Sequence, residues 1–175
     1  MDTSIKIPCA LIPLNQCQLL LPTSAIAEIL YCDELKVTDH TLPWLFQLTD
    51  WQNQAIRVID FEKINSPDQT ILNTKNIVVI VRKINDRAKQ DADAGSSDTD
   101  HCGFFGILAK NTPQIVEANS RNLDRNLHPK NTLSHVKCHI DINHTQAIIP
   151  DIPSLASLVS SDKDTEESRL ARIQY

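Results

Sequence analysis

The residues best suited to chemistry in this 175-residue chain are histidines and cysteines between positions 135 and 144. His135, Cys138, His139 and His144 suggest a metal site, because imidazole nitrogen and thiolate sulfur are common zinc ligands. Their spacing argues against one. On a strand, His135 and His139 share a face but lie about 13 Å apart at roughly 3.3 Å per residue, and Cys138 points to the opposite face. We therefore predict structural or surface histidines and no metal site.

Two pairs of neighbouring residues could in principle act as general acid and base. They are Asp33 with Glu34, and Asp39 with His40. Adjacent residues of an extended chain point to opposite sides, so neither pair converges on a common substrate atom. Solvated surface carboxylates are the simpler interpretation of both pairs.

The cysteines could supply a nucleophile, but their pattern favours a structural role. They are odd in number and widely scattered, which is typical of reduced thiols in a cytoplasmic protein. Cysteine also packs in strands as a small apolar side chain. A Cys–His nucleophile would need a thiol beside a histidine in a cleft, and no local signature supports one. The five are Cys9, Cys17, Cys32, Cys102 and Cys138.

The overall composition excludes several functional classes. The formal charge of −5 disfavours nucleic-acid binding, which requires basic patches that neutralise phosphates. Three glycines are too few for a phosphate-cradling loop. No apolar run approaches the ~18 residues of a membrane span. We predict a soluble cytoplasmic protein that has no enzymatic activity, no cofactor, no nucleic-acid partner and no direct membrane insertion.

The elements that would position any site are short strands. Asn76–Ile84 is rich in β-branched residues, and Leu133–Ile142 alternates between apolar and polar side chains. Ala55–Phe61 also predicts a strand. The segment 25–30 has helical spacing but is short, and Ile152–Val159 predicts an amphipathic half-turn or a short helix. Nine or ten short strands at intervals near ten residues indicate an all-β barrel or sandwich.

Two polar stretches delimit the folded part of the chain. Residues 85–101 are rich in Asp, Ser and Ala and carry no large apolar side chain, which predicts a flexible acidic loop. Residues 161–175 form a charged tail. We expect one folded domain over residues 5–160, with the loop inside it and the tail after it.

Half of the aromatic residues lie in one window of the sequence. Trp44, Phe46, Trp51 and Phe61 can form the core of a barrel that has few aromatics elsewhere, or they can lie at a protein interface, where tryptophan is enriched. Trp51 has polar neighbours on both sides and is the ring that we expect to be exposed.

The order of these segments resembles the CheW-like family of bacterial chemosensory coupling proteins. LLLPTSAIAEIL, at positions 19–30, is similar to the family's opening strand and proline turn. Pro43 and WQNQAIRVIDFEKI are similar to its proline, hairpin and following strand, with Asp60 on the family's aspartate. NIVVIV and FFGILA are similar to a later hairpin. Asp50-Trp51 is most similar to ChpC-like members, which act in the type IV pilus system.

The chain also departs from the family pattern. Gln52-Asn53 stands where the family has Arg-Gly in the hairpin, Gln47 where it has a glycine, and Arg57 where it has a proline. Asn53 can still adopt the left-handed conformation that glycine supplies there.

The resemblance implies a fold and a function. The expected fold is all-β: two small five-stranded β-barrel subdomains packed together, with minor short helices. The expected function is a non-catalytic adaptor that couples the cytoplasmic tip of a methyl-accepting chemoreceptor to a CheA-type histidine kinase, in type IV pilus (twitching) motility. An auxiliary modulator that binds one of these partners, and a small-molecule-binding barrel or a cysteine enzyme, are the alternatives. The residues expected to bind partners are Ile26, Glu28, Trp51, Gln52 and Asn53.

Overall fold

The computed structural model describes residues 5–37, 42–67, 76–83, 103–125 and 133–160. The predicted acidic loop and charged tail lie outside these residues. The regular secondary structure of the described residues consists of strands, a 3-10 turn at Thr23–Ala25 and two helices, α1 (Phe61–Asn65) and α2 (152–160). The strands are β1 (Ile7–Pro13), β2 (Gln18–Pro22), β3 (Ile26–Cys32), β4 (Lys36–Val37), β5 (Leu45–Trp51), β6 (Gln54–Ile59), β7 (Asn76–Arg82), β8 (Phe104–Ala109), β9 (Gln114–Ala118), β10 (Leu123–Arg125), β11 (Val136–Ile142) and β12 (Thr145–Pro150).

The described strands build two sheets that correspond to two β subdomains. Sheet A has the order β10-β11-β12-β2-β1-β9, and sheet B has the order β3-β7-β8-β6-β5-β4. Each sheet contains five strands of five to seven residues and one edge strand of two or three residues. The expectation of an all-β fold made of two five-stranded subdomains is therefore confirmed, with one short strand added to each.

Sheet B is inserted into the chain of sheet A. Strands β1 and β2 form a hairpin in sheet A, the chain then builds all of sheet B from β3 to β8, and it returns to sheet A for β9 to β12. Two parallel pairings, β2 with β12 and β6 with β8, join strands that are distant in sequence. The other pairings are antiparallel.

A shared core joins the two sheets, and each sheet has a second apolar cluster of its own. Strand β7 contributes to two of these clusters from its two faces. Ile77, Val79 and Val81 belong to the shared core, whereas Val78 and Ile80 belong to the cluster of sheet B. A strand that is buried on both faces needs a continuous apolar run, and that is what its sequence contains. Helix α2 follows β12 and adds its own apolar face to the shared core.

Sheet B must be curled. Its own cluster contains completely buried side chains, although helix α1, helix α2 and sheet A all contribute to the shared core instead. Glu28 on β3 also hydrogen bonds to Trp51 on β5. These two strands are four positions apart in the sheet, or about 19 Å along a flat sheet at roughly 4.8 Å per strand. A 2.7 Å hydrogen bond between them requires the sheet to bend around its cluster.

Helix α1 follows strand β6 of sheet B and contacts sheet A through the buried carboxylate of Glu62. Asp60 ends strand β6 by accepting hydrogen bonds from the Glu62 and Lys63 backbone N–H groups, which is the geometry of a helix N-cap. The carboxylate of Glu62 then accepts from four N–H groups in the β1–β2 turn of sheet A, at Asn15, Gln16 and Cys17. The helix is therefore tied to both sheets.

Two sequence expectations about individual elements need correction. The segment with helical spacing at residues 25–30 is mostly strand β3, because both of its faces contact apolar clusters. The strand predicted over Ala55–Phe61 ends at Ile59, where the Asp60 cap begins helix α1. The predicted helix near Ile152–Val159 is present as α2.

Candidate functional site

The β5–β6 hairpin brings four of the five predicted partner-binding residues together. Its two-residue tip is Gln52-Asn53, and both residues are exposed with positive φ angles of 52° and 60°. Two positive φ angles in succession define a type I′ turn, whose twist suits a tight hairpin. Asn53 adopts the left-handed conformation expected of it. Glu28 reaches this hairpin from the edge strand β3.

Trp51 does not have the exposure that its polar neighbours suggest. Only 5% of the residue is exposed, and its ring belongs to the cluster of sheet B. The hairpin strands change register between Leu48 and Trp51, so that the regular pairing of β5 with β6 is interrupted there. This irregularity turns the indole inward while its neighbours remain on the surface. The prediction of an exposed Trp51 was wrong.

The indole of Trp51 is held on two sides. Its Nε1 donates a hydrogen bond of 2.7 Å to Glu28 Oε2, and its ring packs edge-on against Phe104 with centroids 5.0 Å apart. The guanidinium of Arg82 in turn lies over the ring of Phe104, 5.5 Å from its centroid. Glu28, Trp51, Phe104 and Arg82 thus form one continuous set of contacts, which we call the latch cluster.

Sequence analysis missed two members of the latch cluster. Phe104 begins β8 and Arg82 ends β7, and they pair directly across the ladder. Nothing in their local sequence marks them, because Phe104 meets Trp51 only through the order of strands in sheet B and Arg82 joins the cluster through Phe104. In the sequence, these two strands stand on either side of the predicted acidic loop.

Ile26 lies apart from the other predicted site residues. It shares strand β3 with Glu28, but its side chain is half-buried against the shared core and a register shift separates the two. Glu28 faces the cluster of sheet B through Trp51. An apolar contact made by Ile26 would therefore use the opposite face of the strand, and part of that side chain already serves packing.

Three of the described cysteines are poorly suited to nucleophilic chemistry. Cys9, Cys17, Cys32 and Cys138 are free thiols. Burial raises the pKa of Cys9, and burial followed by the charge of Asp33 raises the pKa of Cys32. Burial, together with the charge and hydrogen bond of Glu62, raises the pKa of Cys17 to about 12. A thiol with a raised pKa is a weak nucleophile at neutral pH.

The histidines of the last hairpin have separate surroundings. His135 precedes β11 with a φ of 58°, and its Nδ1 lies 2.7 Å from Ser154 Oγ of helix α2. His144 lies in the exposed β11–β12 turn. In the part of the chain that the structure describes, no three His, Cys, Asp or Glu side chains are grouped to hold a metal ion. None of the described helices has the length and apolar character needed to cross a membrane.

The fold agrees with a family assignment made from the sequence. The model of the CheW-like domain matches residues 8–160. The chain belongs to the CheW-like domain family. No protein of curated function matches the sequence significantly.

A solved CheW structure has the same fold. The crystal structure of the scaffolding protein TtCheW from Thermoanaerobacter tengcongensis is 13% identical in sequence and superposes with a TM-score of 0.57. The match covers 83% of this chain and 89% of that chain. At this identity the similarity is one of fold, and it includes both β subdomains.

One departure from the CheW-like pattern has a structural consequence of its own. Arg57 on β6 stands where the family has proline, and its Nη1 donates a hydrogen bond of 3.2 Å to the backbone carbonyl of Val159. Val159 lies on helix α2. The arginine therefore joins sheet B to the helix that follows sheet A.

Proposed function

We propose that this CheW-like protein is a non-catalytic cytoplasmic adaptor that couples a methyl-accepting chemoreceptor to a CheA-type histidine kinase. The observation that carries the proposal is the match of the CheW-like domain over residues 8–160. Burial raises the pKa values of Cys9, Cys17 and Cys32, so these three thiols are weak nucleophiles at neutral pH. Signal transfer would then be a coupling free energy between two binding surfaces.

The partner-binding surface we propose is centred on the β5–β6 hairpin. Gln52 and Asn53 supply exposed hydrogen-bonding groups at its tip, and Glu28 and Trp51 lie directly beneath them. The exposed polar groups of Gln52 and Asn53 would contact the partner, while the buried Trp51 would support the tip from within the subdomain. Ile26 contributes the apolar contact on the other face of β3.

The test is a binding measurement with a matched control on the other sheet. Purified protein is titrated with the regulatory domain of the CheA-type kinase, and separately with the receptor's cytoplasmic tip. We expect association near micromolar affinity, and we expect Asn53→Asp to weaken at least one interaction fivefold or more. Asn143→Asp is the control, because Asn143 lies in an exposed two-residue turn of sheet A with two positive φ angles. Absence of binding to both partners would overturn the adaptor function.

An auxiliary role is the second candidate, and the composition of the hairpin tip favours it. The family's Arg-Gly is Gln52-Asn53 here, so the tip lacks that cation. Such a member would bind one of the two partners. The double substitution Gln52→Arg with Asn53→Gly should then strengthen binding to the other partner, since glycine also fits the left-handed turn. No gain toward either partner would contradict this version.

The cellular setting we propose is the type IV pilus system. It is supported by the similarity of Asp50-Trp51 to ChpC-like members of the family. A strain that lacks the protein should lose or reduce twitching motility, and the intact gene should restore it. Normal twitching together with impaired swimming would place the protein in a flagellar system instead.

A further inference from the structure

The hydrogen bond between Glu28 and Trp51 joins two parts of sheet B that the strand ladder keeps apart. Glu28 lies on the edge strand β3, and Trp51 lies at the end of β5, four strands away in the sheet order. The glutamate is exposed, whereas the indole ring is buried and packs against Phe104. The carboxylate therefore holds the one polar atom of a side chain that is otherwise fixed in the core of the subdomain.

The hairpin tip above Trp51 is not held in place by its local sequence. Gln52 has a φ of 52°, a left-handed conformation that is unfavourable for residues other than glycine, asparagine and aspartate. The ladder below the tip is interrupted between Leu48 and Trp51 and resumes with the single pair Trp51–Gln54. The pair that closes the turn thus includes the residue whose side chain Glu28 holds.

We propose that Glu28 is a positioning residue: its carboxylate fixes the Trp51 indole and thereby the geometry of the Gln52-Asn53 tip. A charged acceptor forms a shorter and stronger hydrogen bond than a neutral one, which suits this role. The effect on partner binding rests on the function proposed above. The effect on the tip itself belongs to the free protein and can be measured without a partner.

The first experiment follows the indole N–H signals in nitrogen–proton correlation NMR spectra of the free protein. The chain contains two tryptophans, so Trp44 serves as an internal reference. Glu28→Ala should shift the Trp51 Nε1–H signal and the Gln52 and Asn53 amide signals, and should leave the Trp44 signal in place. Glu28→Gln keeps a carbonyl acceptor without the charge, so it should shift the Trp51 Nε1–H signal less than Glu28→Ala does and should leave the Gln52 and Asn53 amide signals close to wild type. Glu34→Ala, at another exposed glutamate, is the matched control.

The second experiment measures whether Glu28 acts on binding through Trp51. We expect Glu28→Ala to weaken the interaction at the hairpin about tenfold and Glu28→Gln to stay within twofold of wild type. In a Trp51→Phe background, which lacks the indole donor, Glu28→Ala should have no further effect. Non-additivity of this kind is the signature of two residues that act as one unit.

The outcomes separate this inference from the proposed function. An unchanged Trp51 and tip spectrum in Glu28→Ala overturns the positioning role. A Glu28→Gln protein as weak as Glu28→Ala, with an equal loss in the Trp51→Phe background, also overturns it, because the glutamate would then contact the partner by its charge. If the spectra change as expected while neither Glu28→Ala nor Asn53→Asp alters affinity, the positioning role stands and the hairpin interface fails. If Trp51→Phe does not fold, the comparison of Glu28→Gln with Glu28→Ala still distinguishes the positioning role from a direct charge contact with the partner.

Discussion

At the scale of single residues, Glu62 is the polar group on which the packing of α1 depends most. Its two carboxylate oxygens accept from the backbone N–H groups of Asn15, Gln16 and Cys17 and from the Asn15 side chain, at distances of 2.5–3.2 Å. The residue is only 9% exposed, so water cannot readily replace it. A buried donor that loses its acceptor costs about 1–3 kcal/mol.

We therefore expect Glu62→Ala to lower the free energy of unfolding by about 2–4 kcal/mol, since several donors lose one acceptor together. Urea unfolding followed by circular dichroism measures this change. Glu117→Ala is the control, because Glu117 pairs with Lys6 on the surface, where ion pairs contribute about 0–1 kcal/mol. Equal effects of the two substitutions would show that the β1–β2 turn does not depend on Glu62.

The buried carboxyl of Asp60 makes the free energy of unfolding depend on pH. Burial raises the pKa of its carboxyl above the ordinary value of 3.8, and the backbone N–H and charge of Lys63 oppose this only in part. The folded state therefore binds the proton more tightly than the unfolded state. The resulting stabilisation is complete below pH 3.8 and is lost as the pH rises through the folded pKa.

The substitution Asp60→Asn would keep an acceptor for the helix cap but would remove the titrating group. The stability of this variant relative to wild type should therefore increase as the pH rises from about 3 to 7. Urea unfolding of both proteins at a series of pH values measures the difference. Asp50→Asn, at an exposed carboxylate, is the control. A relative stability of Asp60→Asn that falls over the same range would contradict the raised pKa.

At the scale of elements, strand β8 depends on the absence of a side chain at Gly106. A Cβ there would lie 2.6 Å from Val78 Cγ1 and 2.8 Å from Val58 Cγ2, on the two neighbouring strands. We expect Gly106→Ala to cost about 1–3 kcal/mol by overpacking. Gly103→Ala is the matched control in thermal unfolding, because a Cβ at Gly103 meets nothing within 4 Å. A neutral Gly106→Ala would mean that β7 and β6 can move apart without cost.

The same elements show what sequence patterns can and cannot predict. Strand β7 is evident because β-branched residues run through it without interruption. Strand β3 is harder to recognise, because an edge strand with apolar contacts on both faces has spacing that also fits a short helix. The burial of Trp51 depends on a register shift and on Phe104 from a distant strand, neither of which its polar neighbours reveal. The hairpin tip itself is predictable, since Asn tolerates the left-handed conformation.

At the scale of the whole molecule, the shared core makes the two sheets interdependent. Leu19 on β2 and Ile107 on β8 are both fully buried in it, one from each sheet. Glu62 and Arg57 add polar connections across the same boundary. Sequence order conceals this arrangement, because the parallel β2–β12 pairing joins strands from opposite ends of the chain. Separate folding of sheet B would expose its half of the shared core to water.

We therefore expect the two sheets to unfold in one transition, and the tryptophans allow a direct test. Trp44 and Trp51 both lie in or beside strand β5 of sheet B, so their fluorescence reports on that sheet. Leu19→Ala, on sheet A, should lower the urea midpoint seen by fluorescence as much as the midpoint seen by circular dichroism, for a loss of about 2–5 kcal/mol. Ile115→Ala, at a side chain that is 66% exposed on β9, should leave both midpoints in place. A fluorescence midpoint that Leu19→Ala does not move would mean that sheet B is stable without its partner, and that the shared core contributes contact area without cooperativity.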